Sequence, residues 1–140
     1  MPTDQKISQL SSGAPSQAGD QYVIARSGAN YKLTDVQLRN IPQSGSAKTA
    51  NYDLTTNDVG RFIELGASGA ITIPNATFAA GDVVSIFNNT SSGATITCTI
   101  TTAYIAGTDA DKASVTLATR GVATILFLSG TVCVISGNVS

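Results

Sequence analysis

The stretch from residue 121 to residue 137, GVATILFLSGTVCVISG, constrains the fold more than any other. It reads as two strands, residues 122–128 and 132–136, joined at Ser129-Gly130. Gly at the second turn position permits the positive φ that tight hairpin turns use. Val122, Thr124, Leu126 and Leu128 share one face, and Ala123, Ile125 and Phe127 share the other. Both faces are largely apolar, which predicts a central hairpin covered on both sides. A buried helix is the competing pattern. The β-branched residues and the break at Gly130 disfavour it.

The other 123 positions of this 140-residue chain are short of charge. Asp, Glu, Lys and Arg make up 12% of the residues, against roughly 25% in ordinary soluble domains. Eighteen Thr and fifteen Ser supply polarity instead. Neutral surfaces of this kind pack against other protein without desolvating many charges. The net charge is −1, and no basic patch is present, which argues against nucleic-acid binding. There is no His, so the commonest general base and metal ligand is missing. Cys98 and Cys133 lie in apolar strand patterns and read as buried free thiols, although spacing does not settle their pairing. No apolar run approaches the roughly 18 residues of a membrane span, and no signal peptide is evident. Synthesis in a cytoplasm and no membrane crossing are the expectations.

Residues 1–20 are small, polar and aperiodic, with Ile7 and Leu10 as their only large aliphatic side chains. They read as an extended arm, disordered alone or ordered only against a partner. Residues 21–26 and 31–33 form a small hairpin about a turn at residues 27–30. Thr34 is a helix N-cap for one short helix over residues 35–40, stopped by Pro42, with Val36 and Leu38 or Leu38 and Ile41 facing in. Residues 43–47 are a linker by composition.

From Thr49 the pattern is all β. Strands are expected at residues 50–54, 61–65, 70–73, 82–88, 94–101 and 114–118, with weak pairing at Tyr104-Ile105. Thr55 or Thr56 caps a turn of helix, and Phe78 lies in a connection before the Gly81-Asp82 turn. In residues 94–101, Ala94, Ile96, Cys98 and Ile100 alternate inward against a Thr ladder. The fold class is all-β: an antiparallel β-sandwich or small barrel, jelly-roll-like, over residues 49–140, preceded by an arm over residues 1–48. Ile96, Cys98, Leu117, Ile125, Phe127 and Val134 are expected to be buried.

Candidate chemistry is sparse. Asp109 and Asp111 offer few of the oxygens that Ca²⁺ needs, and read as a surface loop. Asp58 and Arg61 read as a local ion pair at a turn. Asn75-Ala-Thr77 and Asn88-Asn-Thr90 match the glycosylation pattern, which carries no meaning without a secretory signal. The four Tyr are spread along the chain and read as core-edge residues. No base accompanies the Ser and Thr residues, so neither an enzyme nor a cofactor is expected.

KISQL at residues 6–10, followed by GDQYVIARSGANYKLT at residues 19–34, resembles a leader of tailed-phage virion proteins. TANYDLTTNDVGRFIEL, ITIPN, AAGDVVSIFNNTSSGATIT and LATRGVATILFLSGTVCVISGNV, within residues 49–139, resemble a β domain of phage head-fibre and tail-fibre proteins. The resemblance implies a structural virion protein that forms a homotrimer. Fibre proteins of this kind continue into shafts or tips, whereas this chain stops at Ser140. The expectation is therefore a capsid decoration (cement) protein, bound to the major capsid protein or other virion proteins. The alternative is a tail-fibre or receptor-binding adhesin that contacts a host-surface glycan. Attachment is expected through Ile7, Leu10, Tyr22, Ile24, Tyr31 and Leu33. The hairpin would add to a partner's sheet edge or pack on its surface. The competing arrangement folds the arm back on its own β domain.

Overall fold

Side chains alternate across a strand, so a strand with one apolar set must lay that set on another layer. In the computed structural model of the chain, which describes residues 21–34, 37–38 and 40–140, this requirement is met by chain winding. β1 (Gln21–Arg26) and β2 (Ala29–Thr34) form a two-stranded sheet of their own. Nine further strands follow: β3 (Asn51–Asp53), β4 (Phe62–Leu65), β5 (Ala70–Ile73), β6 (Val83–Asn88), β7 (Ala94–Cys98), β8 (Thr102–Ile105), β9 (Ser114–Leu117), β10 (Val122–Ser129) and β11 (Val132–Gly137). They make a five-stranded sheet, β4-β6-β10-β11-β8, and a four-stranded sheet, β3-β5-β7-β9.

From β3 to β10 the chain changes sheet at every connection. In three cases, β3 to β5, β4 to β6 and β5 to β7, the intervening strand of the opposite sheet is the crossover that lets two neighbours run the same way. β3 with β5, β5 with β7, β4 with β6 and β8 with β11 are parallel pairs. β10 with β11, β6 with β10 and β7 with β9 are antiparallel. The all-β expectation agrees with this arrangement. The antiparallel expectation is corrected, because alternation between sheets produces parallel neighbours that period-two patterns do not report.

Inward side chains from both sheets feed one buried cluster. Ile63, Leu65, Val84, Ile86, Ala123, Ile125, Phe127, Cys133 and Ile135 come from one sheet, and Ile71, Ile73, Ile96, Val115 and Leu117 from the other. Phe78, in the β5–β6 connection, stacks on Phe127 with ring centroids 3.9 Å apart. Ile96, Cys98, Leu117, Ile125 and Phe127 are buried as expected. Val134 is not, because β11 turns Cys133 and Ile135 inward and leaves Val134 half-exposed on the outer face.

The hairpin of β10 and β11 is central, yet its second face is open. Val122, Leu126 and Leu128 are 49%, 39% and 50% exposed. Its turn also differs from the reading. The register shifts between Phe127 and Ser129, and the loop is Gly130-Thr131. Gly130 is not among the positive-φ glycines. Close approach explains it better, since a Cβ there would sit 3.2 Å from the Phe78 carbonyl oxygen.

Exposed sheet edges invite unwanted pairing, and this chain covers two of them with its own backbone. Residues 42–48 run beside β4, with Ser44 N–H donating to Phe62 O and Lys48 N–H to Glu64 O, both at 2.8 Å. Residues 138–140 pair with β9 through Thr116 and Ala118. Residues 43–47 are thus docked, not a linker. By contacts the chain divides into Met1–Asn40 and Ile41–Ser140.

Candidate functional site

The first candidate surface is the hairpin of β1 and β2. A two-residue type I′ turn needs positive φ at both central positions. Ser27 and Gly28 provide it, with φ of 52° and 79°. The resulting register opposes Tyr22 to Leu33 and Ile24 to Tyr31. Directly opposed pairs share a face, and successive odd or even positions keep it. Four of the expected attachment residues are thereby gathered into one apolar patch. Val23 and Lys32 oppose each other on the reverse face, where Val23 is 78% exposed. Ile7 and Leu10 lie outside the described residues.

After β2 the chain is capped as the sequence indicated. Gln37 N–H donates to Thr34 Oγ1 at 3.3 Å, and Thr34 N–H donates to Gln37 Oε1 at 2.8 Å. This reciprocal pair satisfies two orphan donors of a helix start. Gln37 and Leu38 are helical, and the remainder of the expected helix, Asn40 apart, lies outside the described residues. Leu38 and Ile41 are exposed, so neither faces a core as expected.

The titratable groups the fold brings together form a structural node. Asp58 is fully buried at the end of the 3-10 turn Thr56–Asp58. Its carboxylate accepts from Ser44 Oγ, from Tyr52 OH at 3.1 Å, and from Thr55 N–H and Oγ1 at 2.8 and 3.0 Å. Burial works to raise its pKa. The hydrogen bonds from Ser44, Thr55 and Tyr52 outweigh burial, and the carboxyl titrates below its ordinary 3.8. Burial, chiefly, raises the Tyr52 phenol above its ordinary value. Lys48 Nζ lies 4.2 Å from the centroid of the Tyr52 ring. The expected ion pair of Asp58 with Arg61 is replaced by these contacts. The sequence hid this node because one of its donors, Ser44, comes from the stretch that reads as a linker.

The remaining candidates are placed as follows. Asp111 Oδ1 accepts from Ala103 N–H at 2.8 Å. Among the described residues no cluster of His, Cys, Asp or Glu could hold a metal ion. Asn88 is fully buried, donating to Ser92 O and Ala118 O at 2.8 and 2.9 Å and accepting from Thr90 Oγ1, so it cannot accept a glycan. Cys98 and Cys133 are free and buried. Burial, with Asp111 nearby, pushes their thiols up to about 11 and about 12, which leaves them protonated and unreactive at neutral pH. A cavity of about 370 Å³ lies between residues 66–69 and 90–94, lined by Gly, Ala, Ser and Thr. Among the described residues no helix is long and apolar enough to cross a membrane.

A second surface is the outer face of the five-stranded sheet. Registers across β4, β6, β10, β11 and β8 align its outward side chains in rows. One row holds Glu64, Phe87 and Val122, the next Phe62, Ser85, Thr124 and Ser136, and the third Val83, Leu126, Val134 and Tyr104. No family model, curated protein or solved structure matches the chain.

Proposed function

We propose that this chain is a structural virion protein of a tailed phage, most specifically a capsid decoration protein that attaches through its N-terminal arm. One observation carries the reading: Tyr22, Ile24, Tyr31 and Leu33 lie on one face of a hairpin in a contact unit separate from Ile41–Ser140. A two-stranded hairpin is marginal alone and gains most from packing on a partner. The residue motifs and the charge-poor composition agree with a place in a protein lattice. In this reading the two larger sheets form a β-sandwich that stands outside the shell. Three copies associate, the arm holds the major capsid protein, and the site of action is the virion.

The test uses full-length chain and phage heads that lack it. Ile24→Asp combined with Leu33→Asp places two unpaired carboxylates in the contact and should abolish co-sedimentation with heads. The melting midpoint of the β domain should not move. Undiminished co-sedimentation would overturn arm attachment. Arm deletions should stop at Asn40, because Ser44 bonds the buried Asp58.

A second reading, an adhesin module, draws on the cavity between residues 66–69 and 90–94. Its Ser and Thr hydroxyls suit a neutral sugar. Glycan-array binding lost on Ser68→Trp would favour it over decoration.

A further inference from the structure

We infer that the outer face of the five-stranded sheet is where copies of this chain meet, around a rotation axis parallel to β10. The number of copies rests on the homotrimer proposed above; the choice of face does not. Among the described residues of 41–140, four large apolar side chains are exposed, and three of them, Val122, Leu126 and Leu128, lie on β10. β10 is the middle strand of its sheet, so these side chains are at the centre of the face and not at its rim. A concentrated apolar patch on a central strand marks an interaction surface more strongly than scattered exposure does.

The chemistry of the face selects the partner. Glu64 is the one charged side chain in its three rows, and it sits at a corner on the outermost strand. Its carboxylate already accepts from Gln43 Nε2 at 3.0 Å and Asn89 Nδ2 at 2.6 Å. A nucleic acid or a strongly charged protein surface would find no counter-charge here. A second copy brings the same neutrality, with no like-charge contact at the centre.

The row pattern adds a geometric reason. Rotation about an axis parallel to the strands leaves every row at its own height. Phe87 and Val122 then meet their own kind, and so do Val83, Leu126 and Val134. Between them the hydroxyls of Ser85, Thr124 and Ser136 meet hydroxyls, which can donate and accept. Apolar and polar layers are matched for two copies or for three. A foreign surface would have to reproduce rows about 7 Å apart, twice the rise per strand residue.

Sedimentation equilibrium of the full chain over a concentration series tests this. The wild type should sediment as a trimer. Leu126→Asp should fall to the single-chain mass of 14.3 kDa while keeping its circular dichroism spectrum. Leu128→Lys alters a half-exposed side chain that folding does not need, and decides the matter if Leu126→Asp fails to fold. It should also lower the mass. Thr116→Asp, on the exposed side of the four-stranded sheet, should stay trimeric. A monomeric wild type overturns both the trimer and the face. A trimer insensitive to Leu126 and Leu128 overturns the face alone. A dimer that both variants dissociate overturns only the number three.

Discussion

The chain contains two antiparallel hairpins that look alike in sequence and differ in what lies beneath them. β10 and β11 place Ala123, Ile125, Phe127, Cys133 and Ile135 on the core, all fully buried. β1 and β2 gather Tyr22, Ile24, Tyr31 and Leu33 on one face, and Tyr31 remains 50% exposed. The first hairpin is held by tertiary packing and tolerates an irregular turn with a register shift. The second depends on local turn chemistry at Ser27 and Gly28. Strand propensity makes a hairpin available; a second layer makes it permanent.

The largest expected effect separates them directly. Phe127→Ala removes a fully buried ring stacked on Phe78 and should cost about 3–5 kcal/mol. Urea denaturation followed by circular dichroism measures it. Tyr22→Ala should leave the same transition in place. If the two truncations cost the same, the contrast between the hairpins is wrong.

Next in size is the Asp58 node. Asp58→Asn turns an amide N–H₂ towards donors that now reach a carboxylate, and should cost about 2–3 kcal/mol. The sign of the pH effect follows from a folded-state pKa below the unfolded one. Stabilisation is complete above the unfolded value, about 3.8, and is lost as pH falls through the folded value. Thermal melts of the wild type should therefore decline as the pH drops below about 4, and the Asn variant should decline less. Parallel curves would remove Asp58 as the cause.

Two glycine substitutions sharpen the comparison at smaller scale. A Cβ at Gly137 would lie 2.2 Å from Val122 O, at φ 126°, so Gly137→Ala should cost about 1–3 kcal/mol in the β domain. Gly28 also has positive φ but open space around its Cβ position. Gly28→Ala should cost about 1 kcal/mol, confined to the small hairpin and read by amide exchange in β1 and β2. A shift of the main unfolding transition by Gly28→Ala would contradict confinement of its effect to the small hairpin.

Much of the fold could be read from the sequence where alternation was strict. Residues 94–98 and 122–128 show period two, and their inward sets are the buried ones. Strand partners could not be read, because alternation reports which face is buried and not which neighbour lies beside it. β10 was misjudged for a related reason. Apolar residues on both faces predict two covering layers, and here Val122, Leu126 and Leu128 on the outer face are exposed. The hairpin patch was legible residue by residue, since Tyr22, Ile24, Tyr31 and Leu33 are the larger side chains at matching positions. The Asp58 node was not, because its donor Ser44 comes from a stretch that reads as a linker, outside the local run of Tyr52, Thr55 and Asp58.

The strand order has a consequence for how the protein is made on the ribosome. β10 and β11, the final strands in chain order, occupy the third and fourth places of the five-stranded sheet, between β6 and β8. The earlier strand β8 therefore has no neighbour in its sheet until β11 is synthesised. Nascent chains that lack residues 122–137 should hold an incomplete sheet with a gap in its middle. Non-local pairing of this kind slows folding to the millisecond-to-second range. Emergence of the last strands, and not of the first, is then the step that commits the domain to its native state.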